Sequence, residues 1–478
     1  EIIAALDYLK YYPYDCAEQT ASKWFALKTV NYLAQQYPAL GAYFHNLDTA
    51  AVTSRIEENS SLSTLANQEM PWLRNIASDE KRLKAVAKLF NKEELAQGIL
   101  QTEAKLLRLQ QQDGAYPWFE GGLASREISV RILEIIGKVK TLDAAAISPD
   151  MENAAQLLIH YLDADSASLK KNNNNFEDLL NYGYARQLWS QAPIPAALQK
   201  NFAAMLKQAP LKTADMPAGI AAKAWIVSRY LGQEQQAILN RIDQEYVDDT
   251  VQGRYWKSNS NYYNAISLQT YLIEAYKQAD PTKINAMTDW IYYAKQANNW
   301  YTTWMSVDAI YALLISANPK DFTVDNQVTI QVADTAVNTK VNGIGQVSIN
   351  YAAEALTTNK NLKVTNNNNR RIYGSINHQY FMPLEQVQAQ ANDLRVEKKI
   401  LVYRNEKWVE SSSFTMGERI KVELTIIADK DYSYLHLKDS RAAGVEPLYQ
   451  SSGYQAWRRY YFTLNDASTN YFFDRLAK

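Results

Sequence analysis

The chain has 478 residues, room for two to four domains at ~100–200 residues each. Its 16 Gly and 13 Pro, about half the usual joint share, exclude collagen-like, linker-like and low-complexity sequence, and 33 Tyr with 11 Trp exclude a disordered segment. A formal net charge of −1 gives no basic surface for nucleic acid or an acidic membrane, and no uncharged apolar run reaches the ~18 residues that span a bilayer.

In chain order, residues 12–19 (YPYDCAEQ) hold the only cysteine, Cys16. Pro13 biases Tyr12 away from helix. Asp15 reads as an N-cap with Glu18 three residues on, a capping-box pattern that places Cys16 at N1 and Gln19 at N4. Residues three apart share a helix face, so the Cys16 sulfur can approach the Gln19 carboxamide. A helix N-terminus is expected to lower a thiol pKa and to make the thiolate a better leaving group. Three readings of this turn stay open on spacing alone: a small buried thiol, a nucleophilic cysteine with a distant histidine, and a Cys–Gln pair acting together.

Apolar residues at helical spacing follow over 21–35, 82–90, 127–139, 264–277 and 307–316. Three segments share a polar, then Trp-bearing loop that opens a helix: 109–122 (LQQQDGAYPWFEGG), 253–263 (GRYWKSNSNYY) and 295–306 (KQANNWYTTWMS). Helix pairs with a repeated aromatic turn cannot bury their faces alone and must stack. About twelve helices over residues 1–318 suggest roughly six hairpins closed into an α/α toroid, with an open solenoid as the alternative. From about 322 the period becomes two, over 322–332, 345–349, 362–365, 394–402, 419–427 and 457–463, so antiparallel β-sandwich domains are expected. The fold class is therefore multidomain α + β. The Asn runs at 172–175 and 366–369 read as exposed loops.

Neither GxGxxG nor GxxxxGK[ST] occurs, and His45, His160, His378 and His436 lie too far apart for a zinc motif, so no metal or cofactor is expected. His45 and His160 read as surface or satisfied core residues and His378 as structural. A glycosidase or lyase on an α/α toroid is a rival from another class, with Asp113, Glu120 and Glu127 as candidate carboxylates. The chain starts at Glu1 without Met or a leader and reads as a mature product or an excised fragment.

YPYDCAEQTASKWFAL resembles the thioester motif of the alpha-2-macroglobulin and complement family, whose bacterial branch the later segments resemble; the motif is generally Pro-Tyr-Gly-Cys-x-Glu-Gln, with Asp15 where Gly is usual. LQQQDGAYPWFEGG resembles the family's Leu-Gln-x-x-Asp-Gly-x-x-x-Trp segment. GRYWKSNSNYYNAISLQTYLIEAY, NNWYTTWMSVDAIYALL, YGSINHQYFMPLEQV and LRVEKKILVYR resemble later segments, in order. The resemblance implies a thioester-containing toroid over 1–318, the returning half of a CUB-like β domain over 319–386, and an incomplete macroglobulin-like, receptor-binding-type domain over 387–478. It implies a Cys16–Gln19 internal thioester supported by Pro13, Tyr14, Asp15 and Glu18, with Tyr14, Trp118 and Trp300 nominated as its shield. The implied activity is covalent trapping of proteases through their surface lysines, with no turnover. The partners would be target proteases, the remaining domains of a longer protein and a peptidoglycan-synthesis or envelope partner. The place would be the periplasm or envelope, with lipid anchoring of the longer protein. A binding module with a dead motif remains the second alternative. Complement-type relatives use a histidine about a hundred residues after the motif. Residues 113–131 contain none, which implies direct aminolysis.

Overall fold

A computed structural model describes residues 2–45, 86–169, 175–207, 216–233, 235–257, 265–295, 299–317, 328–332, 335–337, 361–367, 393–448 and 451–478, with single positions between 372 and 391. It divides into two units, one ending at Ile372 and one running from 373 to Lys478.

The helices of the first unit are α1 (Ile2–Lys10), α2 (Ala17–Gln36), α3 (Pro38–His45), α4 (Lys92–Leu109), α5 (Arg126–Leu142), α6 (Pro149–Ser168), α7 (Phe176–Gln187), α8 (Ala196–Leu206), α9 (Ala218–Tyr230), α10 (Gln236–Ile242), α11 (Ala265–Ala279), α12 (Ile284–Tyr293) and α13 (Thr303–Ser316). They fall into two kinds. In α4 and α6 burial returns every three or four residues, as Thr102, Leu106 and Leu109 do in α4, so one face looks to solvent. In α5, residues 128–139 are buried without a break, and in α13 so are 305–314. Helices buried on all sides must be walled in by others.

Packing gives the reason. The buried helices form a ring: α2 packs on α5, α5 on α7, α7 on α9, α9 on α11, α11 on α13, and α13 returns to α2. The second kind flanks it, with α1 and α4 on α2, α6 on α5, α8 on α7, α10 on α9 and α12 on α11. The ring closes, so the toroid reading holds and the open solenoid does not. Close approach of α9 and α11 requires Gly219, where a Cβ would lie 2.5 Å from the Leu268 carbonyl oxygen.

The three Trp-bearing loops precede α5, α11 and α13, which are all ring helices. The second of them opens on β2 (Gly253–Trp256), which forms a hairpin with β1 (Tyr246–Asp249) just before it. Trp24, Trp225 and Trp300 are fully buried, while Trp118 is 43% exposed.

The ring is polar at its centre. Arg131 and Lys138 of α5 both contact Asp308 of α13, at 2.7 and 2.5 Å, and both contact Glu134, at 2.7 and 2.6 Å. Asp308 also accepts from the Ser267 hydroxyl at 2.7 Å. Lys223 of α9 donates to Asn181 Oδ1 and Tyr271 Oη, and Glu274 of α11 accepts from Tyr184. Each of these buried groups is thus paired or hydrogen-bonded in a desolvated interior, the condition for tolerating buried charge. Burial works against the Asp308 anion, but Arg131 and Lys138 outweigh it and hold the carboxyl far below its usual range. Burial pushes Glu274 up to about 7 and Lys223 down to about 8.

Beyond the helices, β3 (Val328–Val332), β4 (Thr335–Ala336) and β5 (Leu362–Asn366) form an antiparallel sheet in the order β4-β3-β5. It belongs to the first unit. Among the described residues, the second unit has two antiparallel sheets. One is β7-β6-β8, from β6 (Leu394–Arg404), β7 (Lys407–Glu410) and β8 (Ile420–Ala428). The other is β10-β11-β12-β9, from β9 (Tyr432–Ser440), β10 (Gly453–Gln455), β11 (Tyr460–Leu464) and β12 (Ser468–Leu476). The alternating segments at 394–402 and 419–427 are β6 and β8, paired from Leu394↔Ala428 to Val402↔Ile420. The segment expected at 345–349 and His378 lie outside the described residues. No helix among the described residues is long and apolar enough to cross a membrane.

Asp308→Asn leaves two buried cations facing one carboxylate, and should lower the stability of the helical unit by about 3–5 kcal/mol in denaturant unfolding followed by far-UV circular dichroism. Glu274 keeps its proton in the folded state up to pH about 7, whereas the unfolded chain releases it near 4.5. The folded state therefore binds the extra proton between those values, and stability falls as pH rises through them. Glu274→Gln should flatten that slope in melts between pH 4.5 and 7, and an unchanged slope would exclude Glu274 as its source.

Candidate functional site

The residues around Cys16 are placed by local and distant contacts together. The Tyr11 N–H donates to the Asp7 carbonyl at the end of α1. Tyr8, Tyr12 and Tyr14 then run edge to face, with ring centroids 5.4 and 5.8 Å apart. Helix α2 starts at Ala17 with Cys16 itself as the N-cap, and N3 is Gln19. The cap is thus one residue later than expected from the sequence. The reason is electrostatic. Asp15 pairs with Lys23 at 3.1 Å and Lys105 at 3.2 Å, so its carboxylate turns to these cations and the next residue caps the helix. Burial raises the Asp15 pKa and is the largest single influence, but the hydrogen bonds and charges of Lys23 and Lys105 together outweigh it and lower the value.

The box closes through the two residues that the resemblance singles out. The Cys16 N–H donates to Gln19 Oε1 at 3.1 Å, while the Cys16 sulfur faces the N–H of Gln19. The Gln19 carboxamide is thereby folded back over the residue that carries the thiol. Cys16 is 5% exposed.

A remote loop completes the helix end. The Ala17 N–H donates to the Trp118 carbonyl at 2.9 Å, so one of the orphan amides of α2 is met by the 109–122 segment. That segment is folded tightly. Gln110 Nε2 donates to the Gly114 and Ala154 carbonyls, and Ser129 Oγ accepts from the Tyr116 N–H at 2.9 Å. Gly114 has φ +94°, and a Cβ there would sit 2.5 Å from the Leu157 carbonyl oxygen of α6, so only glycine fits. Lys105 also donates to the Asp15 carbonyl at 3.2 Å.

Glu18 points the other way, into the ring. It is 5% exposed, with Oε1 accepting from Ser22 Oγ at 2.7 Å and Oε2 from Thr303 Oγ1 of α13 at 2.8 Å. Pro13 is exposed and Tyr14 is 66% exposed. Of the three aromatics nominated as a shield, Trp300 alone is fully buried; its indole N–H donates to the Ile291 carbonyl at 2.8 Å.

The electrostatics correct one expectation. Burial pushes the Cys16 thiol up, and the N–H groups of Gln19 and Glu18 with Lys105 only partly offset it, while the Glu18 carboxylate adds to the rise. Desolvation of an anion outweighs the helix end at this depth.

The other nominated residues stand apart. Asp113 Oδ1 accepts from the Ala115 N–H within its own turn, Glu120 pairs with Arg108 at 3.3 Å on the surface, and Glu127 is exposed in the first turn of α5. His160 is exposed on α6, and His436 stacks on Phe472 and contacts Asn470. The His45 side chain lies outside the described residues. Lys105 and Thr303 carry no local sequence signal; each joins the site from a helix far along the chain. No cluster of three potential metal ligands occurs among the described residues.

In Gln19→Ala, where no bond to residue 19 can form, alkylation of Cys16 by iodoacetamide should titrate with a midpoint above the ordinary thiol value. A midpoint below it would contradict the burial argument.

The family model for the Bacterial Alpha-2-macroglobulin MG10 domain matches residues 394–478, which run from β6 through β12. A comparison with curated proteins gave no match. Among solved structures, Salmonella alpha-2-macroglobulin reacted with methylamine is 16% identical at TM-score 0.38, covering 100% of this chain and 28% of that one. Native Escherichia coli alpha-2-macroglobulin spanning MG7 to the C-terminus is 13% identical at TM-score 0.40, covering 100% and 69%. Escherichia coli alpha-2-macroglobulin activated by porcine elastase is 13% identical at TM-score 0.39, covering 99% and 39%. This chain therefore spans under a third of the Salmonella protein. Residues 394–478 are thus similar to a bacterial alpha-2-macroglobulin domain, and the match begins at LRVEKKILVYR, one of the segments on which the sequence resemblance rests.

Proposed function

We propose that the chain is the thioester-bearing part of an alpha-2-macroglobulin-like protease inhibitor and that Cys16 and Gln19 form its reactive bond. The observation that carries this reading is the folded-back Gln19 carboxamide, with Oε1 3.1 Å from the Cys16 amide nitrogen at a buried helix start. Bond formation joins Cys16 Sγ to the Gln19 side-chain carbonyl carbon; the thiol proton leaves with the displaced NH2 group as ammonia. An incoming lysine amine then bonds to that carbon, the C–S bond breaks, and the sulfur leaves to be protonated as a thiol. The product is an isopeptide-type amide to the target protease, so the reaction runs once per chain. Direct aminolysis is favoured, since residues 113–131, which include the loop on the α2 start, contain no histidine.

Two features supply the chemistry. Burial at Cys16 keeps water from the sulfur side of the bond, while Gln19 is half-buried. The N–H groups of Glu18 and Gln19 and the Lys105 ammonium stabilise the departing thiolate once it forms. An envelope location and covalent capture of proteases belong to the same proposal. The ring interior supports it over a carbohydrate-active reading, because its carboxylates are spent on Arg131, Lys138 and Tyr184.

Intact mass tests it. The chain should be ~17 Da lighter than its sequence mass, and methylamine should add its own mass and free one thiol. Glycerol should react far more slowly. A chain with full sequence mass and a Cys16 that alkylates before methylamine treatment would leave only a binding role.

A further inference from the structure

Glu18 lies in sequence between the two residues of the proposed bond, yet its side chain faces away from them. Both of its oxygens are committed, one within α2 to Ser22 and one across the ring to Thr303. Thr303 is the first residue of α13, and its neighbour Trp304 is held as well. Arg131 Nη2 donates to the Trp304 carbonyl at 2.8 Å, and the guanidinium lies over the Trp304 ring at 4.4 Å. One turn further along α13, Asp308 receives Arg131 and Lys138. The first turn of α13 is therefore clamped on one side to the ring's central charges and on the other to the turn that carries Cys16 and Gln19.

Resting on the proposed thioester, we propose that Thr303 is a positioning residue of the Cys16–Gln19 site. Its hydroxyl fixes the Glu18 carboxylate, which fixes the first turn of α2 and so the approach of the Gln19 carboxamide to the sulfur. A bond between side chains three residues apart at a helix start tolerates little rotation of that turn, and sub-ångström displacement of reacting groups has large kinetic effects. The site is thereby tied to ring closure: loosening α13 from α2 loosens the reactive turn. Thr303 touches neither Cys16 nor Gln19 in this scheme; it acts through Glu18.

The test uses the chain as it stands with Thr303→Val, which keeps shape and removes the donor, Thr303→Ser, which restores it, and Ser22→Ala, which removes the other donor to Glu18. The half-life of the ~17 Da mass deficit should shorten about 10-fold in T303V and stay within about 2-fold of the parent in T303S and S22A. A second arm places the same changes on Gln19→Ala and follows Cys16 alkylation against pH. There T303V should speed alkylation about 10-fold across the profile, and T303S should return it to the parent rate. If T303V does not fold, Thr303→Ala removes the same donor and replaces it. A T303V chain that matches the parent in both arms overturns the proposal, as does a T303S chain that behaves like T303V. If the parent itself shows no mass deficit, the thioester reading fails by that result, and the alkylation arm still decides whether Thr303 positions the turn.

Discussion

Asp308 is the point on which the ring depends. It lies 177 residues after Arg131 and is the only carboxylate from α13 that meets the two cations of α5. A guanidinium and an ammonium in a desolvated interior are costly unless paired and hydrogen-bonded. Without α13 in place, Glu134 alone would face both. The apolar faces of these helices can stack in many ways, but only closure satisfies these charges. Buried charge here specifies the arrangement more than it adds net stability.

The same helix reaches the turn that carries Cys16 and Gln19. α13 packs against α2, and its first turn joins Thr303 to Glu18 while holding Arg131 through Trp304. The other side of that turn is fixed by the 109–122 loop, whose Trp118 carbonyl meets the Ala17 amide. Lys105 of α4 anchors Asp15 just before it. The N-terminal end of α2 is therefore held by three segments that are remote in sequence. Its Asp15, where the related motif has glycine, is accommodated as an ion-paired residue that yields the cap to Cys16.

Local rules read some of this well and failed at identifiable places. The 3.6 and 2 periods separated the helical part from strands such as β6 and β8, because those signals come from which face is buried. They could not say where the α2 cap falls, since Asp15 is drawn off by Lys105, which is 90 residues away. They also gave the wrong sign for the Cys16 thiol. A helix end lowers a thiol pKa only when the sulfur keeps its solvation, and the depth of a residue is set by everything packed over it. The aromatic loops were visible as a repeat, yet whether a tryptophan is buried like Trp300 or half-exposed like Trp118 depends on where each loop docks.

The sequence by itself determined the helix-to-strand order, the aromatic loops that open helices, and a turn that sets Cys16 three residues before Gln19. These are matters of spacing and side-chain type, and they act within a few residues. Only the tertiary structure decided that the helices close on themselves, that Cys16 rather than Asp15 caps α2, and that Thr303 and Lys105 meet the start of that helix. Those outcomes rest on charges and hydrogen bonds between residues 90 to 285 positions apart, which no local pattern encodes.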